Sequence, residues 1–204
     1  MAALGATLLA GAAALPASAY ELSYGGTLTS NYISRGFTQT NHGVALQPWV
    51  EIGQDGFYGG IWMSNVTLGP DDLEVDLYGG YRWDVENTSF DIGYARYIYD
   101  STGDAGGEFY FLAEHALGET AALSLGVYVG HSGGLSITDA HFGFSNQIYQ
   151  NLTGSMNIGV ASGGVLYGDV GVTYDFNDNI SIDGRYYARA NGIGRFVAAV
   201  SVSY

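Results

Sequence analysis

The stretch Leu152-Thr153-Gly154-Ser155-Met156-Asn157-Ile158-Gly159-Val160 places apolar residues or glycine at even positions and small or polar residues at odd ones. Successive side chains of an extended strand point to opposite faces, so this period of two describes a strand with one apolar face. The end of the chain repeats the pattern, with Phe196, Ala198, Val200, Val202 and Tyr204 set against Arg195, Val197, Ala199, Ser201 and Ser203. Beyond residue 19 no segment shows the 3.6-residue period of an amphipathic helix.

Working outward from these two segments gives about twelve strands of roughly 8 to 12 residues, the length of tilted bilayer-spanning strands. They fall near residues 21–32, 44–52, 57–65, 73–83, 89–99, 108–116, 121–130, 141–148, 152–161, 166–174, 180–188 and 195–204. Their connections alternate between two kinds. Five are short and turn-like, at 53–56, 84–87, 117–120, 149–151 and 175–179. The others are read as longer at 33–43, 66–72, 100–107 and 131–140, with shorter ones near Ser162 and Asn191. Short turns at one end and longer loops at the other predict an all-β fold: a transmembrane antiparallel up-and-down barrel, both termini periplasmic because the strand number is even.

The polar face decides between a soluble and a membrane barrel. A soluble barrel turns its apolar face inward. Here the polar face carries glycine, serine, threonine and asparagine with few lysines, which suits a lumen better than a solvated exterior. Aromatic residues near strand ends, at Tyr32, Tyr58, Trp83, Tyr94, Tyr99, Tyr149, Tyr174 and Tyr204, are read as interfacial girdles.

Composition agrees. Among 204 residues there are 32 glycines, 17 tyrosines, no cysteine, and 20 acidic against 6 basic residues, a net charge of -14. Six cations cannot neutralise a phosphate backbone, which excludes nucleic-acid binding through a basic face. The missing cysteine excludes disulfides and thiolate metal sites. No cofactor motif is present, and the acidic loop residues Asp71, Asp72, Asp100 and Asp104 lack the spacing of a cation loop, so they read as solvated charge.

Residues 1–19 are almost wholly Ala, Leu, Gly and Thr and close on Pro16-Ala17-Ser18-Ala19, an A-x-A pattern. This is read as a secretory signal peptide, leaving residues 20–204 as the barrel in a Gram-negative outer membrane. The alternating C-terminal segment Phe196, Val200, Val202, Tyr204 is similar to the signal by which such barrels are handed to the assembly machinery. Lipid, lipopolysaccharide and that machinery are the expected partners.

Twelve strands about 4.8 Å apart and tilted about 40° enclose a lumen around 10 Å across. Parity places Glu51, Glu74, Asp76, Asp91, Glu108, Glu114, Asp169 and Asp183 inward against Arg82 and Arg185, with Arg189 just beyond its strand. An acidic lining favours cations, so a narrow channel for small solutes or cations is expected. The alternative is a plugged structural or adhesive barrel in which these groups pair and fill the interior. Arg96 falls outward by strict alternation, through a bulge or at the interface. Arg35, beside Gly36 in the longest loop, is read as a candidate constriction or loop tie. A barrel hydrolase is the minor alternative, with His131-Ser132, Glu114-His115 and His141 with Ser145 as candidate pairs.

Several motifs occur in order: Leu28-Thr29-Ser30-Asn31-Tyr32, Arg35-Gly36, Gln39-Thr40, Ala45-Leu46-Gln47, Gly56-Phe57-Tyr58-Gly59-Gly60-Ile61-Trp62, Ser64-Asn65-Val66 and Glu74-Val75-Asp76-Leu77-Tyr78-Gly79-Gly80-Tyr81. With a weaker echo to Tyr99, this half of the chain resembles the TorF-type porin family of proteobacterial outer-membrane proteins. Asn31 and Ile33 stand where that family usually has an acidic and a basic residue, and Met63 where a glycine is common. The resemblance implies an outer-membrane barrel with transport activity and brings no substrate or catalytic residue.

Overall fold

In the computed structural model, which describes residues 20–131 and 135–204, the period-two segments become strands that close on themselves. They are β1 (Glu21–Thr29), β2 (Ile33–Ser34), β3 (Phe37–Thr38), β4 (Ala45–Gln54), β5 (Phe57–Leu68), β6 (Asp71–Val85), β7 (Thr88–Tyr99), β8 (Gly103–Leu117), β9 (Ala121–Gly130), β10 (Ser136–Tyr149), β11 (Leu152–Ala161), β12 (Val165–Asn177), β13 (Ile180–Arg189) and β14 (Arg195–Ser203). Twelve of them form one antiparallel barrel, and β2 and β3 form a separate two-stranded hairpin. Closure pairs β1 with β14 from Gly25 opposite Ser203 to Thr29 opposite Ala199. The first and last strands of the barrel meet at the short-turn end, where the backbones of Tyr24 and Tyr204 bond in both directions and their rings stack at 5.6 Å.

The outward face carries Leu22, Leu46, Ile61, Leu77, Ile92, Phe111, Phe142, Met156, Ile158 and Val170, all exposed. So continuous an apolar surface would be an aggregation liability in water and is the lipid belt of a membrane barrel. The alternation written in residues 152–160 holds in three dimensions. Met156 and Ile158 face out, while Ser155 and Asn157 make hydrogen bonds inside.

Part of the abundance of glycine and tyrosine has a shared cause. Inward tyrosines lie flat across glycines of the neighbouring strand. A Cβ added at Gly60 would come within 2.5 Å of the Tyr78 ring, and one at Gly159 within 2.5 Å of Tyr167, their cross-strand partners. The glycines make room, and the rings fill a narrow interior.

Two expectations need correction. The connections at 66–72 and 100–107 are not long loops. Strands β5 and β6 run on until only Gly69 and Pro70 separate them, and β7 and β8 until only 100–102 do. Register shifts between Asn65 and Leu68 and between Arg96 and Ile98 break the alternation there, so the pattern stops before the hydrogen bonding does. Second, Tyr32, Tyr58 and Tyr99 are not girdle residues. Tyr32 and Tyr58 are buried, and the Tyr58 and Tyr99 hydroxyls bond to Asp91 and Glu74 inside. Tyr149, Tyr174 and Tyr204 do face outward.

The longest connection, residues 30–44, does not project from the barrel. It turns into the lumen. Arg35 and Gly36 both take positive φ, 49° and 80°, as the two central residues of a type I′ hairpin turn require.

Candidate functional site: the lumen beneath the inward hairpin

The hairpin delivers Arg35 to the far wall. Its Nη1 and Nη2 donate to Glu108 Oε1 and Oε2 at 3.0 and 2.8 Å, a bidentate fork. Its Nε lies 3.8 Å from Asp139 Oδ1, and its guanidinium stands 5.1 Å from the centre of the Tyr128 ring. Both carboxylates are fastened from behind. The Tyr97 hydroxyl donates to Glu108 and the Tyr167 hydroxyl to Asp139, each at 2.7 Å, and His141 Nδ1 lies 2.8 Å from Asp139. Gly36 is pressed against the wall so closely that a Cβ there would come within 2.8 Å of the Arg189 Cβ. Arg189 is the last residue of β13 and stacks 4.3 Å over the Phe37 ring. The hairpin thus crosses from β1 and β4 to β8, β10, β12 and β13.

Two further arginines repeat the arrangement deeper in the barrel. Toward the short-turn end Arg82 donates to both oxygens of Glu51 at 2.6 and 3.0 Å and to Asp91 at 3.2 Å, lying 3.6 Å over the Tyr58 ring. Arg185 bridges Asp169 at 2.5 Å and Asp183 at 3.0 Å and reaches Ser155. Each arginine stands between two carboxylates, so each group keeps a formal excess of negative charge. Glu114 is half-buried on the same inward face. Glu74 and Asp76 differ from all of these. Both are fully buried on β6, and among the described residues no ion pair involves either of them.

Glu114 apart, the inward residues of the parity reading therefore fall into three clusters and one couple without an arginine. That reading missed Asp139, which lay in a stretch read as loop. Strand β10 begins at Ser136, and a register shift between Ile137 and Asp139 moves both Thr138 and Asp139 to the buried side. Arg96 stays outward, beside the Tyr94 hydroxyl and paired with Asp104, with the bulge following it. The acidic loop residues are not simply solvated. Asp71 accepts from the backbone of Ser101 and Thr102, and Asp100 from that of Asp72 and Leu73. These bonds from Leu73 and Asp72 hold the Asp100 carboxyl below the usual carboxylate range.

The hydrolase pairs do not assemble among the described residues. His131 stacks on Tyr94 and bonds its hydroxyl at 2.7 Å, and Ser132 lies outside the described residues. Glu114 faces inward, while His115 faces outward and meets Thr88. His141 and Ser145 are four positions apart on one strand, about 13 Å at 3.3 Å per residue, and His141 is engaged with Asp139.

A family model described as "Bacterial protein of unknown function (Gcw_chp)" matches residues 13–200. The chain belongs to the Gcw_chp family. Among solved structures this Gcw_chp barrel is similar to the KdgM porin, with a TM-score of 0.63 at 8% identity over 91% of this chain and 98% of that one. It is similar to the NanC porin with a TM-score of 0.57 at 11% identity, over 90% and 99% of the two chains. The Escherichia coli outer membrane phospholipase A has a TM-score of 0.52 at 9% identity, over 89% of each chain. At these identities the likeness is one of fold: a twelve-stranded outer-membrane barrel. No curated protein sequence matches.

Proposed function

We propose that this Gcw_chp protein is a narrow porin-like channel of the Gram-negative outer membrane that passes small solutes with a preference for cations and is constricted by the Arg35 hairpin. The observation that carries the reading is the inward loop itself, whose tip is forked onto Glu108 while the rest of the lumen keeps an excess of carboxylates. Carboxylate rings lower the energy of a cation in a pore and raise that of an anion. The resemblance of residues 28–99 to TorF-type porins and the fold shared with KdgM and NanC support a channel in the outer membrane. The outward Phe196 and Val200, with Tyr204 at the chain end, support handling by the barrel-assembly machinery. The N-terminal segment supports export, although residues 1–19 lie outside the described structure.

A second reading, a plugged barrel without transport, is favoured by one observation: Glu74, Asp76, Asp91, Tyr97, Glu108 and Asp139 have almost no accessible surface. Conductance of refolded protein in planar bilayers separates the two. Steps with a reversal potential of cation sign in a salt gradient support the channel. A silent bilayer with both the native chain and Arg35→Ala supports the plug.

A further inference from the structure

Burying a carboxylate is costly unless a cation or hydrogen-bond donors compensate. Every other carboxylate cluster of the lumen has an arginine at its centre. Glu74 and Asp76, two positions apart on the inward face of β6, are 0% exposed and have none among the described residues. The Tyr99 hydroxyl donates to Glu74 Oε1 at 2.8 Å. Glu74 Oε2 and both oxygens of Asp76 have no hydrogen-bond partner. A second observation comes from the opposite element. Tyr32, on the inward loop, is 5% exposed; its hydroxyl lies beside the same two carboxylates without a hydrogen bond of normal geometry. Trp62, edge-on to Tyr32 at 5.5 Å, closes one side.

We infer that the loop-side lumen binds a hard divalent cation of the Ca²⁺ class between Glu74, Asp76 and the Tyr32 hydroxyl, tying residues 30–44 to the wall at β6. The chemistry selects the occupant. All the donors are oxygen and two are charged, which suits Ca²⁺ and not a soft metal. One proton shared by the carboxylates would satisfy two of the three bare oxygens, whereas a cation at their centre satisfies all of them. No three His, Cys, Asp or Glu side chains converge among the described residues, so water completes the coordination, as it does around many Ca²⁺ and Mg²⁺ ions. The inference goes beyond the channel reading and does not require it, since a plugged barrel would hold the ion equally well.

Terbium is the probe, because tyrosine and tryptophan sensitise its emission at short range, and Tyr32, Tyr99 and Trp62 surround the site. Folded protein in detergent, verified by heat-modifiable gel mobility, is titrated with Tb³⁺ under excitation of the aromatic residues. The native chain is expected to give saturable emission that Ca²⁺ displaces. Asp76→Asn should weaken Tb³⁺ binding by about tenfold or more, since affinity follows the number of charged ligands. Tyr32→Phe, which keeps the ring and removes only the hydroxyl, should weaken it less and serves if Asp76→Asn fails to fold. A control variant, Asp72→Asn with Asp104→Asn, should leave the titration unchanged, separating the site from loop carboxylates. Absence of sensitised emission from the folded native barrel would overturn the inference in favour of protonated carboxylates. A titration unaltered by Asp76→Asn, or by Tyr32→Phe where only that variant folds, would also overturn it.

Discussion

The two ends of the lumen use the same residue types in different ways. At the short-turn end Arg82 joins Glu51 and Asp91, yet its side chain remains 38% exposed. At the loop end Arg35 joins Glu108 and Asp139 with its side chain only 5% exposed. The difference lies in where each arginine comes from. Arg82 projects from the wall and can bend toward the barrel opening. Arg35 arrives on a hairpin that crosses the lumen, so the hairpin itself shields the ion pair from water. One end leaves its arginine partly exposed and the other closes over the same charges.

Four substitutions would break or sharpen this contrast. Arg35→Ala should have the largest effect, because it leaves Glu108 and Asp139 buried without their cation, a loss of about 3–5 kcal/mol for a buried pair. Its conductance should rise severalfold as the hairpin is released, which single-channel recording would register. Gly159→Ala comes next. The added methyl would meet the Tyr167 ring and displace the hydroxyl that holds Asp139, costing about 1–3 kcal/mol by overpacking. A lowered unfolding temperature in detergent is the expected result. Arg82→Ala should cost less, about 1 kcal/mol after solvent screening, and should strengthen cation selectivity in bilayers by removing a positive charge from the open end. Asp100→Asn should be the mildest, changing only the loop.

The sign of that last effect follows from linkage. The Asp100 carboxyl is held below the unfolded value of about 3.9, so its contribution is complete above that pH and is lost as acidification passes through the folded value. The protection factor of the Leu73 amide in the native chain should therefore fall only under acid conditions, and in Asp100→Asn it should be low at neutral pH too.

The barrel was legible because lipid imposes a strict rule. With one face apolar along every strand, residues 152–160 reveal their orientation without further information, and parity then turns Glu51, Asp91, Glu108 and Arg185 inward. Legibility failed where the period fails. The bulge before Asp139 hid a carboxylate that Arg35 approaches, and the bulges near Asn65 and Arg96 made strand look like loop. Tyr58 and Tyr99 were misplaced for a different reason. A tyrosine near a strand end suits either an interfacial girdle or a hydrogen bond to a buried carboxylate, and only the cross-strand register distinguishes them. The path of residues 30–44 depends on contacts with walls far away in sequence, and local pattern carries only the Arg35-Gly36 turn.

The central claim is that a buried arginine on an inward hairpin constricts an otherwise acidic channel. Planar-bilayer recording of the native chain and Arg35→Ala in a potassium chloride gradient tests it most directly. The expected result is a small, cation-selective native conductance and a severalfold larger conductance of the same sign in the variant. Equal conductances, or anion selectivity in the native chain, would contradict it.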